Sequence, residues 1–179
     1  RRSALGRPGG LHRLRRLEAL AAPGIEAAPR DAKLEASRVG EIILGNTTAG
    51  GNPARLLGLA AGLSETAPAL TVDRQCASGL DAIVLAARAV ACGEAQVVVA
   101  GGAESLSTAP WRIAKPKTLF QTPRFISPDV GQDIDGETSL PAIAASEALA
   151  QRLGISRADQ DWLTLRSHLL ADRARDERR

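Results

Sequence analysis

Along the first hundred residues, short apolar runs alternate with stretches of helical periodicity. Val39-Gly40-Glu41-Ile42-Ile43-Leu44 reads as a buried strand, closed by Gly45-Asn46. Gly50-Gly51-Asn52 is a turn in which Asn52 can cap a helix and Pro53 can take its first position. The helix is expected from Ala54 to Ala61, with Gly62 ending it. Residues 70–75 predict a second strand. A long helix then opens at Cys76 and runs to about Ala91, because Leu80, Ile83, Val84, Ala87, Val90 and Ala91 recur at helical spacing on one face. Gln96-Val97-Val98-Val99-Ala100 is almost wholly apolar, which predicts a third strand covered on both faces and ended by Gly101-Gly102. Strand and helix in alternation imply an α/β fold with a mainly parallel sheet and right-handed crossovers.

The flanks read differently. Residues 17–34 have helical composition, but Pro23, Gly24 and Pro29 interrupt them. An interior proline costs about 3 kcal/mol, so a broken helix is expected. Residues 111–141 hold four prolines among scattered Gly and Asp, and predict an extended loop. Two helices follow, over 142–153 and 157–175, separated by Gly154. Ser156 with Asp159 three residues on has the form of a capping box. The chain therefore divides into an α/β part, 1–110, and a part made of an extended loop and two helices, 111–179.

Composition narrows the function. The 179 residues suit one domain, or part of a larger one. No run of about 18 apolar residues occurs, so a helical membrane span is not expected. Aromatics are only 2%, too few for base-stacking platforms. The chain starts Arg1-Arg2-Ser3 and contains no Met, which implies a processed product or a fragment. Its charge of +3 is concentrated at one end. Residues 1–16 carry six arginines and no acid, which leaves 17 basic against 20 acidic residues in the remainder. The surplus thus lies in a solvated leader and not on a domain face, which argues against a nucleic-acid partner. Two cysteines, Cys76 and Cys92, make neither a disulfide framework nor a metal site. On one helix they would stand roughly 24 Å apart, against the 7 Å or less a disulfide needs. Free thiols fit a reducing compartment, the cytoplasm.

Cys76 is the sharpest chemical feature. It sits where a strand passes into a helix, whose first amides lack intrahelical acceptors and favour a thiolate. Ala77, Ser78 and Gly79 are small enough to let an acyl group approach the sulfur. Read from this placement alone, Cys76 fits a nucleophile or a small buried hydrophobe. Cys92, late in the helix among apolar neighbours, reads as structural. His12 and His168 are isolated and read as surface or packing residues. Gly101-Gly102-Ala103-Glu104-Ser105 permits a tight turn and close backbone approach, as in loops that line sites in parallel sheets, and it matches no dinucleotide fingerprint.

Taken together, Val72-Asp73-Arg74-Gln75-Cys76-Ala77-Ser78-Gly79-Leu80 and Val97-Val98-Val99-Ala100-Gly101-Gly102-Ala103-Glu104-Ser105 resemble the amino-terminal half of thiolases. Ile42-Ile43-Leu44-Gly45-Asn46, Gly51-Asn52-Pro53-Ala54-Arg55 and Gly154-Ile155-Ser156-Arg157 support the likeness, and Ser3-Ala4-Leu5-Gly6-Arg7 resembles the loop after the family's first strand. The resemblance implies a partial thiolase N-terminal domain followed by part of the helical loop domain. It implies ping-pong acyl transfer through a Cys76 thioester, with CoA thioesters as substrates and no bound cofactor or metal. It also implies a parent enzyme that is a homodimer or homotetramer, with the strand before Cys76 near its two-fold interface. The family's Gly-His-Pro and Cys-x-Gly-Gly-Gly motifs do not occur here, so the chain alone is expected to be inactive and to expose apolar surface. The family's His-Met-Gly stretch falls at Pro141-Ala142-Ile143 and is unmatched, so no CoA-contacting residue is assigned. A ketoacyl synthase fits less well, because its cysteine segment lacks the Asp-Arg-Gln lead. A different class of reading is a non-catalytic remnant or interaction protein.

Overall fold

The computed structural model describes residues 1–126 and 142–177. The chain falls into two compact units, Arg1–Pro128 and Asp129–Arg179. The first begins with α1 (Leu17–Asp31), then β1 (Glu41–Gly45), α2 (Pro53–Ala60), β2 (Ala69–Val72), α3 (Ser78–Ala91) and β3 (Val98–Gly102). The strands form one parallel sheet in the order β2-β1-β3. Ile43 lies opposite Leu70 on one side and Ala100 on the other.

Alternation along β1 divides the core. Ile42 and Leu44 face one side, where they meet Ile25 of α1 and Ala54 and Leu57 of α2. Ile43 faces the other and meets Ala82 and Ala86 of α3. The result is three layers, with β1 buried between helices on both faces. The start of α2 is closed as the sequence implies, with Asn52 at the cap and Pro53 in the first turn. The Asn52 side chain does not cap the helix directly. The Ala54 amide donates to Thr71 Oγ1 (3.0 Å), whose hydroxyl donates to Asn52 Oδ1 (2.6 Å).

Several expectations are corrected. The α1 helix is continuous through Pro23 and Pro29. Pro23 leaves the carbonyl four residues back, on Ala19, without its amide; both residues are exposed, so water can serve it. Pro29 is itself buried, and packing at Ile25, Ala21 and Ala22 offsets the loss. β3 starts two residues later than the sequence suggests and extends through Gly101 and Gly102; it is an edge strand by pairing, yet it is covered on both faces, by α1 and α2 at Val99 and by α3 at Val98 and Ala100. The α3 stripe of larger side chains does not face the sheet. Ser78, Ala82 and Ala86 do, while Leu80, Ile83 and Val90 are exposed. Close approach of helix and strands favours small residues at that contact, with Leu85 packed at its margin, while Leu80, Ile83 and Val90 turn outward. Ile83 and Val90, with Val98 and Ala100, border an open apolar groove beside β3.

The leader is anchored rather than simply solvated: Arg1 is paired with Asp31, and the Gly9 amide donates to Ser107 Oγ at 2.9 Å. Part of the expected loop forms a hairpin, β4 (Arg112–Ala114) antiparallel to β5 (Arg124–Ile126). Trp111 packs edge-on to Phe125, with ring centroids 5.4 Å apart. The rest of that loop, residues 127–141, lies outside the described residues, and with it Pro141 of the unmatched His-Met-Gly position.

The second unit holds α4 (Ala142–Leu153) and α5 (Arg157–Asp176). The capping box forms as read: Asp159 N donates to Ser156 Oγ (3.2 Å) and Ser156 N to Asp159 Oδ2 (3.3 Å). Bonds from the Ser156 hydroxyl and amide hold the Asp159 carboxyl below its ordinary range. Among the described residues, no helix is long and apolar enough to cross a membrane.

Candidate active site

The three parallel strands release their loops at one edge of the sheet, the place where open α/β folds present chemistry. Three loops meet there. Asn46 N donates to Val72 O (3.1 Å) and Ala103 N to Gly45 O (3.1 Å), which ties the ends of the strands together. The Glu104 carboxylate then gathers the loop after β1. It accepts from Asn46 Nδ2 (2.8 Å), from Thr47 N (2.9 Å) and from the Thr48 hydroxyl. Asn46 is buried, and its Oδ1 accepts from Ala49 N at 2.9 Å.

Residues 73–78 turn sharply against this platform. Ala77 N donates to Arg74 O and Ser78 N to Gln75 O, each at 3.1 Å. The buried Ser78 hydroxyl donates to Gln75 O (2.6 Å) and accepts from Arg74 N (2.7 Å). Gln75 carries φ +53°, a left-handed conformation that strains any residue with a side chain. The turn thus resembles an elbow, and Cys76 projects from its exposed outer side as a free thiol. Among the described residues no group hydrogen-bonds its sulfur.

Cys76 does not open α3, as the sequence suggested. The cap is Ala77 and the first helical residue is Ser78, so Cys76 stands just ahead of the cap. The 73–78 turn uses the residues that the periodicity assigned to the helix. The amides of Gly79 and Leu80 remain in the acceptor-free first turn, on the side from which Cys76 enters. Glycines bring the helix start this close: Gly102 and Gly79 meet backbone to backbone, and Gly45 lies directly under Ser78.

Arg74 turns across the elbow, its Nη1 2.7 and 2.8 Å from the two carboxylate oxygens of Asp81 in the first turn of α3. The Asp81 bond strengthens the hold of the Arg74 guanidinium on its proton. Neither this pair nor the Glu104 gathering point is encoded in local sequence spacing. By local pattern Asn46 reads as a strand stop and Glu104 as part of a glycine turn, and both lie in segments that resemble thiolases. Cys92 is exposed at the C-cap of α3, not buried among apolar neighbours. His12 is held within the leader, Nε2 2.9 Å from Ala4 O, and His168 is exposed on α5 in the other unit. Among the described residues no cluster of three or more His, Cys, Asp or Glu is placed to hold a metal ion.

Comparison with known proteins gives one answer. The model of the thiolase N-terminal domain matches residues 1–179. A Staphylococcus haemolyticus protein with the provisional name acetyl-CoA C-acetyltransferase VraB is 39% identical over 178 residues, covering 95% of this chain and 45% of its own length. A beta-ketoadipyl-CoA thiolase of Pseudomonas knackmussii is 38% identical over 188 residues, covering 97% of this chain and 46% of its own length. The crystal structure of the Bacillus anthracis acetyl-CoA acetyltransferase superposes with a TM-score of 0.81 at 31% identity, over 96% of this chain and 45% of that one. The chain therefore spans a little under half the length of the relatives it matches.

Proposed function

This chain belongs to the thiolase family, and from that premise we propose that it supplies the nucleophile of an acyltransferase acting on CoA thioesters, with Cys76 as the acyl acceptor. The observation that supports this is the exposed Cys76 thiol on a strained elbow at the open edge of a parallel sheet. The thiolate adds to the thioester carbonyl of an acyl-CoA. The carbonyl re-forms as the bond to the CoA sulfur breaks, and CoA leaves as its thiolate. A sulfur nucleophile suits this step, since one thioester replaces another and the same sulfur later leaves readily. In synthesis the acyl group passes to the carbanion of acetyl-CoA. In degradation Cys76 attacks the keto carbon of a 3-ketoacyl-CoA, the departing acetyl-CoA carbanion takes up a proton, and a second CoA carries the shortened acyl group away.

Each direction needs proton transfers. In the family they fall to the Gly-His-Pro histidine and the Cys-x-Gly-Gly-Gly cysteine, whose motifs this sequence lacks. The isolated 179-residue chain is therefore expected to show no CoA-dependent cleavage of acetoacetyl-CoA; measurable turnover would overturn that dependence. The complete enzyme is read as a cytoplasmic homodimer or homotetramer. Two free cysteines suit that compartment, and β2, as an edge strand, suits pairing across a two-fold axis. The outward apolar face of α3 suits a chain that packs against further structure.

Alkylation tests the nucleophile directly. Both cysteines are exposed, so access alone does not separate them. Iodoacetamide at pH 7 with peptide mapping is expected to modify Cys76 about five times faster than Cys92, because only Cys76 lies beside helix N-terminal amides. Equal rates, or preference for Cys92, would remove the nucleophile assignment.

A further inference from the structure

We propose that Arg74 sets the reactivity of Cys76 by neutralising Asp81, so that the positive pole of α3 is left to the sulfur; this rests on Cys76 being the acyl acceptor. The acceptor-free amides at the start of α3, two residues after Cys76, favour a thiolate. Asp81 sits in that same first turn, and its negative charge both engages the pole and repels an anion forming just ahead of it. Arg74 is two residues before Cys76 and reaches both Asp81 oxygens, so the charge pair straddles the elbow.

Among the described residues, the other charges around the elbow are held or placed as follows. Asp73 Oδ1 accepts from Gln75 N at 3.1 Å. The Glu104 carboxylate is occupied by Asn46, Thr47 and Thr48. The loop after β1, residues 46–52, has no ionisable side chain. Arg112 donates to Thr47 O at 2.6 Å. Arg88, the remaining charge on α3, lies in its last turn. Asp81 is thus the acidic side chain within the first turn of the helix whose pole Cys76 uses, and Arg74 is its ion-pair partner.

A charge role and a bracing role predict different signs. If the pair tunes charge, Arg74→Gln exposes the Asp81 anion, slows Cys76 alkylation at pH 7 about threefold and moves its pH–rate profile to higher pH. Asp81→Asn leaves Arg74 unpaired, speeds alkylation about threefold and moves the profile to lower pH. The double variant returns close to the parent. Both single effects shrink in 0.5 M salt, because the Arg74 side of the pair is exposed. If the pair only braces the turn, both single variants shift the rate in the same direction and lower the thermal midpoint. The measurement is the iodoacetamide pH–rate profile of the full 179-residue chain, with Cys92 as internal reference and circular dichroism as the check on folding. Opposite shifts at Cys76 with Cys92 unmoved support the proposal. Shifts of one sign, or none, overturn it while the nucleophile assignment stands. A parent chain in which Cys76 reacts no faster than Cys92 overturns the nucleophile assignment and this proposal with it.

Discussion

Gly45→Ala is expected to destabilise the Arg1–Pro128 unit by about 3 kcal/mol and to erase the alkylation preference of Cys76 over Cys92. A methyl group on Gly45 would lie 2.4 Å from the Ser78 carbonyl carbon, 2.5 Å from Gly79 N and 2.7 Å from Ser78 O. These are backbone atoms and cannot rotate away, so the start of α3 must lift from the sheet. That movement breaks the Ser78 bonds to Gln75 and Arg74, which hold the elbow. Gly24→Ala is the control. It lies inside α1 with nothing within 4 Å of the added methyl. There alanine is expected to be neutral or to stabilise by about 0.5–1 kcal/mol. Urea midpoints followed by circular dichroism, with peptide mapping of the alkylated thiols, check both. An unchanged midpoint for Gly45→Ala would show that the close approach at the elbow is not required.

Leu57→Ala is expected to cost about 2–5 kcal/mol, with the site left intact in the molecules that remain folded. Leu57 is among the largest fully buried side chains of the described residues and lies in the cluster with Ile25, Ile42 and Leu44. Truncation removes apolar contact and leaves a cavity where α2 packs on the sheet. That cluster is on the opposite face of β1 from α3, so the elbow does not lean on it. A lowered urea midpoint with an unaltered ratio of Cys76 to Cys92 labelling is the expected pair of results. A changed ratio would mean that the two faces of the sheet are coupled at the site.

The elements legible in the sequence are those whose determinants lie within a few residues. Gly154 and the Ser156–Asp159 box place helix ends by local hydrogen bonds and Asn52-Pro53 by the fixed φ of proline, and each end is found where read. β1 is legible because Ile42-Ile43-Leu44 is apolar without a break, as burial on both faces requires. The position of Cys76 between β2 and α3 follows from the same reasoning, and only its step ahead of the cap does not.

Where the reading and the structure part, distant contact decides. Val97-Val98-Val99 reads as a strand covered on both faces, but composition does not say which strands become neighbours, and pairing puts β3 at the edge. The stripe on α3 was assigned by size, whereas close approach at Gly45, Gly79 and Gly102 selects the small residues for the inner face. The proline-interrupted α1 forms because Ile25 finds partners in α2 and β1. The gathering of Asn46, Thr47 and Thr48 on Glu104 joins residues more than fifty positions apart, and no periodicity encodes it.

The amino-acid order by itself therefore fixed the α/β class, the run of alternating elements and the cysteine that stands between strand and helix, because backbone preference, capping and burial periodicity act over one or two turns of chain. The tertiary structure alone decided which face of α3 is buried, which strands are edges, and that Arg74, Asp81 and Glu104 surround the elbow. Those outcomes depend on side chains meeting at contact distance, and that distance is set by the packing of three layers and not by separation along the chain.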